Sequence, residues 1–386
     1  MKKNNEIARV ADLLKKYGYH SQSYNILRND KSYFFSKENI EGVIAYVIKA
    51  NVAVVAADPV CELCDIKLFL EEFILFCKRK KLRYCFQSVT ERSRIILSEM
   101  GMNIIKIGEE PIHELKDYSS IGSKFRSLRK SVNQAKRNGL EIVEYSPLIQ
   151  RNEAWEKDMK ELSAIWKKFK GSGEYSFLIG EPALHNPGDR RYFLALLDNR
   201  VEAFVVCTPI YSRNGIYFDV MRRKEKTING LPQLLFSECF QIFQAEGMKM
   251  CSLGTAPLSY EHTSNVEEGK IIKLALRMAF DHLEYFNRFK PLYNFKKQFH
   301  PTSWEARYLV YNTQVSLPFV LFALLKAYDP TAIRDTLLTQ INFAWINLCK
   351  LKDGTKGVIR FSTNSLGKGF RYTSNKAKLT RRRIFR

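Results

Sequence analysis

Hydrophobic and polar positions along the chain follow two alternating patterns. Residues 43–48 (Val-Ile-Ala-Tyr-Val-Ile) and 52–57 (Val-Ala-Val-Val-Ala-Ala) are unbroken β-favouring runs separated by Lys49-Ala50-Asn51, which predicts two neighbouring strands. Asp58-Pro59 ends the second run. Residues 66–80 then place Leu68, Phe69, Phe73, Ile74, Phe76 and Cys77 at helical spacing, and residues 82–89 return to a strand-like run. The same strand, helix, strand order recurs at 215–221, 231–245 and 248–253, so two similar α/β halves are expected. Between them, residues 125–138 read as a basic helix closed by Gly139 as C-cap. Residues 167–174 (Lys-Lys-Phe-Lys-Gly-Ser-Gly-Glu) and 185–189 (His-Asn-Pro-Gly-Asp) are turn clusters, and 258–269 is a loop. Helices are expected at 270–282, 317–327 and 333–348, and residues 285–299 are dense in rings and lysines.

The 386 residues are long enough for two domains, and a 45% hydrophobic, 13% aromatic composition excludes global disorder and low-complexity classes. Sixty-two Lys and Arg against 40 Asp and Glu give a net charge of +22, which favours polyanionic partners such as nucleic acid or anionic lipid. Residues 350–386 alone carry twelve Lys or Arg and one Asp, a basic tail able to contact phosphates or an anionic leaflet. The most apolar stretch, 315–325, falls short of the roughly 18 to 20 residues that span a bilayer, and the N-terminus reads as a charged helix and not as a signal peptide. A cytoplasmic protein is expected. Of eight cysteines only Cys61 and Cys64 have ligand-like spacing, with no matching second pair, so reduced and mostly buried thiols are preferred over zinc.

Candidate chemistry begins at Phe218-Asp219-Val220-Met221-Arg222-Arg223. A carboxylate can bind an ammonium or accept a proton and a guanidinium can hold a phosphate bidentately, so the set suits a zwitterionic or phosphate-bearing substrate; a strand-end ion pair is the plainer account. The loop from Arg222 to Gly230 leads into a helix whose N-terminus could receive a phosphate. An acyl-CoA site would show Gln/Arg-x-x-Gly-x-Gly/Ala here, whereas the chain offers only Thr227-Ile228-Asn229-Gly230. Neither a Walker-type loop nor a dinucleotide fingerprint is present. Lys124, Arg126, Arg129, Lys130, Lys136 and Arg137 form a stripe fit for a phosphate backbone or simply for solvent.

An ordered set of short motifs goes further. Asp58-Pro59-Val60, Lys106-Ile107-Gly108-Glu109-Glu110, Leu128-Arg129-Lys130-Ser131-Val132-Asn133, Asp219-Val220-Met221-Arg222-Arg223, Leu253-Gly254-Thr255-Ala256-Pro257-Leu258-Ser259, Phe295-Lys296 and Trp304-Glu305-Ala306-Arg307-Tyr308-Leu309 occur in this order. Together, over residues 10–328, they resemble the catalytic domain of phosphatidylglycerol lysyltransferases, the multiple peptide resistance factor family. The resemblance implies an α/β (α+β) fold of two tandem GNAT-like domains with mixed central sheets flanked by helices. The expected domains are 1–122, 123–328 with the catalytic site and the basic linking helix, and a 329–386 extension ending in a disordered tail. It also implies transfer of an amino acid, lysine or alanine, from aminoacyl-tRNA to the hydroxyl of phosphatidylglycerol or a related lipid, without metal or other cofactor.

By similarity Asp219, Arg222 and Lys296 are carried over as catalytic, with Glu284 as a looser match, and Arg307, Gly171, Gly173, Glu174, Arg223 and Ser259 as substrate-binding. Arg126, Arg129, Lys130, Lys136 and Arg137 become the tRNA contacts. Family members typically carry a many-helix flippase, which this sequence does not include, so residues 317–325 as an interfacial helix, the basic tail and a separate flippase partner are the expected routes to the inner face of the membrane. Ala56-Ala57 stands where the family usually has Gly before Asp-Pro, and Gln298 where it has a cation. The competing readings are a GNAT-type acyltransferase using acyl-CoA and a non-catalytic module that binds nucleic acid or membrane.

Overall fold

The chain begins with helix α1 (Lys2–Tyr17), which buries Val10, Leu13 and Leu14 at helical spacing, and a short strand β1 (Ser32–Phe34). Strands β2 (Ile44–Lys49) and β3 (Val52–Ala56) form the expected hairpin; its two-residue turn, Ala50-Asn51, has φ +48° and +59°, the mirror-image turn that matches strand twist. Ala57 follows at φ +64°, so the position before Asp58 is one that glycine occupies more easily, and this chain carries the alanine at a cost of about 1 kcal/mol. The computed structural model describes residues 2–170, 177–178, 180–262 and 289–328, all within the compact unit Met1–Gln340.

Helix α2 (Ile66–Arg79) buries Ile66, Phe69, Leu70, Phe73, Ile74 and Cys77 and leads to β4 (Arg83–Val89), parallel to β3. Asp58 then acts on helix α3 (Glu91–Glu99): its carboxylate accepts hydrogen bonds from Thr90 N at 3.0 Å and Thr90 Oγ1 at 2.5 Å. The long strand β5 (Asn103–Glu114) closes the first half. Helix α4 (Arg126–Arg137) is the basic helix, ended as expected by Gly139 at φ +81°. Then come β6 (Glu141–Tyr145), α5 (Glu153–Lys170), the antiparallel β7 (Arg191–Leu197), β8 (Arg200–Ile210) and β9 (Gly215–Arg223), α6 (Leu231–Ala245), β10 (Met250–Ser252) and the two-residue β11 (Ala256–Pro257). Helix α7 (Phe289–Lys297), β12 (Ser303–Tyr311) and α8 (Leu317–Tyr328) complete the described chain.

The strands make one mixed sheet in the order β1-β2-β3-β4-β12-β5-β10-β9-β8-β7-β6, with β11 pairing β5. Each half repeats the same unit, an antiparallel pair followed by a helix and a parallel strand: β2-β3-α2-β4 and β8-β9-α6-β10. This is the tandem GNAT-like α/β arrangement. The sheet runs unbroken across residue 122, because β5 pairs antiparallel with β10, and β12 lies antiparallel between β4 and β5. Separate apolar clusters cover the sheet: α2 pack on the first half, α4 and α6 on one face of the second half, and α5 with Met159 and Leu162 on the other.

Helix α8 departs from its expected interfacial role. Val320, Ala323, Leu324 and Ala327 are buried in the cluster that also holds Val47, Val52 and Val54, so its apolar face is used inside the fold. Among the described residues no helix is long and apolar enough to cross a membrane. Cys61, Cys77, Cys85, Cys207, Cys239 and Cys251 are buried free thiols and Cys64 is exposed. The helices expected at 270–282 and 333–348 and the basic tail lie outside the described residues.

Candidate active site

Strands β9 and β10 pair only from Gly215 to Tyr217, opposite Met250 to Ser252; beyond Tyr217, β9 continues six residues with β8 as its ladder partner. Asp219 stands where the two strands part. The register with β8 passes from Cys207↔Phe218 to Val206↔Val220, so Asp219 is the extra residue of a β-bulge. On a regular strand, positions three apart point to opposite faces. The bulge shifts the alternation by one, so Val220 joins the α5-side cluster and Arg222 lies 3.6 Å over the Trp166 ring of α5, within electrostatic reach of Asp219. The Asp-x-x-Arg spacing therefore places both groups at one site because the strand is irregular there.

The carboxylate of Asp219 is held on one side only. Oδ1 accepts hydrogen bonds from Asn25 Nδ2 at 3.0 Å and Gly180 N at 3.2 Å, while Oδ2 is buried without a hydrogen-bond partner among the described residues. Burial pushes its pKa up to about 6, against the pull of Asn25, Arg190, the Gly180 amide and Arg28. Arg222 is lowered to about 10 by burial, with the charge of Asp219 opposing, and its Nη1 donates to Met221 O at 2.9 Å. Arg223, one residue on, is exposed and donates to Thr227 Oγ1 at 3.2 Å, away from this pair.

Neither Asn25 nor Gly180 belongs to a recognisable motif. Asn25 sits on the short helical turn Ser23–Leu27 of the first half and is fully buried. Gly180 approaches so closely that a Cβ there would lie 1.6 Å from Asp219 Oδ2. The segment bearing Gly180 is fastened to the first half: Leu178 O accepts from Asn25 Nδ2 and Gln22 Nε2, Phe177 N donates to Asp30 Oδ2 at 3.2 Å, and Arg28 pairs with Glu181 at 3.4 Å. Phe177 and Leu178 are themselves buried in the core of the first half.

A second, buried network backs this site. Tyr217 accepts a hydrogen bond from Gln22, and its ring lies against Gly254, where a Cβ would come within 3.1 Å. Lys296 Nζ donates to Gly254 O at 2.6 Å and Thr255 O at 2.8 Å, and burial lowers its pKa to about 7 although Glu110 opposes the shift. Arg307, expected to bind substrate, is 1% exposed, with Nε on Glu110 at 2.8 Å and Nη2 on Glu305 at 3.0 Å; its guanidinium serves the interior. Burial works to raise the Glu110 pKa, but Arg307, His20 and the hydroxyls of Ser252 and Ser21 outweigh it and hold the carboxyl at about 2. Ser259 is buried between Ala256 O, to which it donates, and Glu109 N, from which it accepts, and so fixes a turn.

The basic helix lies apart from these groups and its cations are unequal. Arg129 braces the preceding loop through Ser120 O and Gly122 O, and Lys136 pairs with Glu238 at 2.6 Å, whereas Arg126, Lys130 and Arg137 are exposed. Glu284, Gly171, Gly173 and Glu174 lie outside the described residues. Glu110 was visible in the sequence as part of a motif but without a role; no sequence signal marked Asn25, Gly180 or Gln22.

Comparison with known proteins bears on the family and the fold. The chain is 25% identical over 315 residues to phosphatidylglycerol lysyltransferase of Bacillus subtilis, covering 81% of this chain and 36% of the relative, and 26% identical over 310 residues to that of Staphylococcus epidermidis. It thus spans about a third of the length of these curated relatives. In fold it is similar to the DUF2156 C-terminal domain from Agrobacterium fabrum (TM-score 0.71, 22% identity, 86% of this chain and 100% of that one). It is likewise similar to L-PGS from Bacillus licheniformis (TM-score 0.70, 22% identity, 82% and 95%). The model of the family described as phosphatidylglycerol lysyltransferase, C-terminal, matches residues 11–311, which include the bulged Asp219, its Asn25 and Gly180 partners and the Lys296 and Arg307 network, and the chain belongs to that family.

Proposed function

We propose that the chain catalyses transfer of an amino acid, lysine or alanine, from aminoacyl-tRNA to the glycerol hydroxyl of phosphatidylglycerol or a related lipid, making the membrane less negative. The observation that carries this reading is Asp219: a buried carboxylate with one oxygen held and the other without a hydrogen-bond partner among the described residues, beside Arg222 in the same strand irregularity. The donor ester is already activated, so the transfer needs alignment, proton removal from the hydroxyl and stabilisation of a tetrahedral oxyanion. The glycerol oxygen forms the new ester as the bond to the tRNA ribose breaks, and the hydroxyl proton passes to the ribose oxygen. Asp219 either holds the α-ammonium or takes that proton. Arg222 neutralises the lipid phosphate or the oxyanion, and Lys296 sets the Gly254-Thr255 carbonyls behind them. By family similarity Glu284 is the alternative acid for the roles given to Asp219, and Gly171, Gly173, Glu174 and Arg223 are assigned to the substrates, whereas Ser259 holds its turn and Arg307 gives support through Glu110.

The exposed Arg126, Lys130 and Arg137 are the α4 cations suited to the tRNA backbone, with Lys136 released from Glu238 and Arg129 shaping the loop. The membrane surface, reached peripherally from the cytoplasmic side, and a separate flippase complete the set of partners. One contact favours this reading over an acyl-CoA donor. Gly230, at the N-terminus of α6 where a CoA pyrophosphate would rest, packs on α4 so tightly that a Cβ would lie 2.1 Å from Ser131 O.

The test is transfer of radiolabelled amino acid from charged tRNA into chloroform-extractable lipid, with purified protein and phosphatidylglycerol vesicles. Label in the lipid phase that is abolished by ribonuclease and by Asp219→Asn supports the reading. Full transfer by Asp219→Asn, or CoA-dependent acylation with no tRNA-dependent label, removes it.

A further inference from the structure

We infer that Asp219 Oδ2 and Asn25 Oδ1 form a binding site for a primary ammonium group, so that the first half of the chain supplies a ligand-contacting side chain to the second; the inference rests on the reading of Asp219 given above and narrows it. Asn25 is fully buried, and its Nδ2 uses both hydrogens, one toward Asp219 Oδ1 at 3.0 Å and one toward Leu178 O at 3.1 Å. Both neighbours are acceptors only, which fixes the orientation of the amide. Its carbonyl oxygen is left buried and without a hydrogen-bond partner among the described residues, as is Asp219 Oδ2 on the other side of the same hydrogen bond.

Two buried oxygens in this position cannot satisfy each other. An unpaired buried acceptor is costly, and two of them on the groups joined by one hydrogen bond are met together by a donor with several hydrogens. An ammonium has three, carries the charge that offsets Asp219, and is the group that every unblocked aminoacyl ester presents next to its reactive carbonyl. A hydroxyl has one hydrogen and would leave one of the two oxygens unpaired. Arg190, Arg28, Arg222, Tyr217 and Cys207 lie within electrostatic reach of Asp219, which is the acid among them. The Gly180 amide and the buried Phe177-Leu178 anchor hold the pair in place.

The experiment compares aminoacyl-tRNA with its N-acetylated form, which has the same ester but no ammonium, in the wild type and Asn25→Leu. The wild type is expected to prefer the free amine by about 100-fold in kcat/KM. Asn25→Leu, close in volume, removes the Nδ2 hydrogen bond to Asp219 for both donors but the Oδ1 acceptor for the amine alone, so kcat/KM falls about tenfold further for the free amine than for the N-acetyl donor. Equal use of both donors by the wild type, or an equal loss on both in Asn25→Leu, overturns the inference. Saturation-transfer NMR on the full chain with alaninamide and N-acetylalaninamide gives a readout independent of lipid transfer. Binding of the first and not the second supports the ammonium site even if the lipid acceptor is wrong, binding of neither rejects it, and an active Asp219→Asn rejects the parent reading as well.

Discussion

Gly180 shows how much of the site depends on a missing side chain. Its φ lies outside the left-handed region, so alanine is tolerated by the backbone, but the new Cβ would fall 1.6 Å from Asp219 Oδ2. The cheapest relief is rotation of the Asp219 carboxyl out of place, because that carboxyl ends a side chain whereas Gly180 is tied at its neighbours. Gly180→Ala is therefore expected to cost about 1 kcal/mol or less in stability and at least about 100-fold in transfer, read from paired thermal-melt and activity measurements. Lys296 makes a pH prediction. Its pKa falls to about 7 in the folded chain, so between pH 7 and the ordinary lysine value the unfolded chain binds more protons and stability rises with pH. The stability of the wild type relative to Lys296→Met should thus climb through that window by up to about 1.4 kcal/mol per pH unit, in denaturant titrations at pH 7, 8 and 9; a flat difference would place Lys296 in water.

At the level of elements, the sequence was most informative where one period governed a buried surface. Helix α6 occupies 231–245 as read, because Leu231, Leu234, Leu235, Cys239 and Phe240 all face the sheet, and the β2–β3 hairpin was announced by two apolar runs and a short polar break. The site was half legible. Asp219 and Arg222 stand in a motif, but the bulge that unites them depends on register with β8, and their partners Asn25 and Gly180 arrive from 194 and 39 residues away with no local pattern to mark them. Arg307 was misleading for a related reason: sequence shows a cation in a motif, and only the fold shows Glu110 and Glu305 on either side of it. Helix contacts carry their own prediction. Gly230 has φ +87° and would place a Cβ 2.1 Å from the Ser131 carbonyl, so Gly230→Ala meets both backbone strain and a backbone clash between α4 and α6. A loss of about 2 kcal/mol or more is expected in chemical denaturation, against about 1 kcal/mol at Gly101, where a Cβ has open space but the same sign of φ.

For the whole molecule, the decisive feature is that the twofold repeat of the sequence does not make two independent sheets. Strand β12 follows the second repeat in sequence but lies between β4 and β5 of the first, pairing along nine positions of β5 from Ile112 to Asn103. Its Ala306, Tyr308 and Val310 complete the apolar cluster built by β3, β4 and α2, and its Arg307 neutralises the buried Glu110 of β5. A fragment of residues 1–122 would have β4 and β5 with no strand between them, a gap in the middle of a sheet where backbone groups need partners, and a buried carboxylate stripped of its guanidinium, a loss of about 3 to 5 kcal/mol by itself. That fragment is accordingly expected to show no cooperative unfolding transition and little amide dispersion, although it contains a complete repeat by sequence. Adding a peptide of residues 300–328 in trans should restore dispersion, because it supplies both β12 and the face of α8 that packs on β2 and β3. A folded, cooperative 1–122 fragment without the peptide would show that the first repeat closes its own sheet, and the dependence of Asp219 on Asn25 would then be a contact between two separately stable halves instead of one within a single fold.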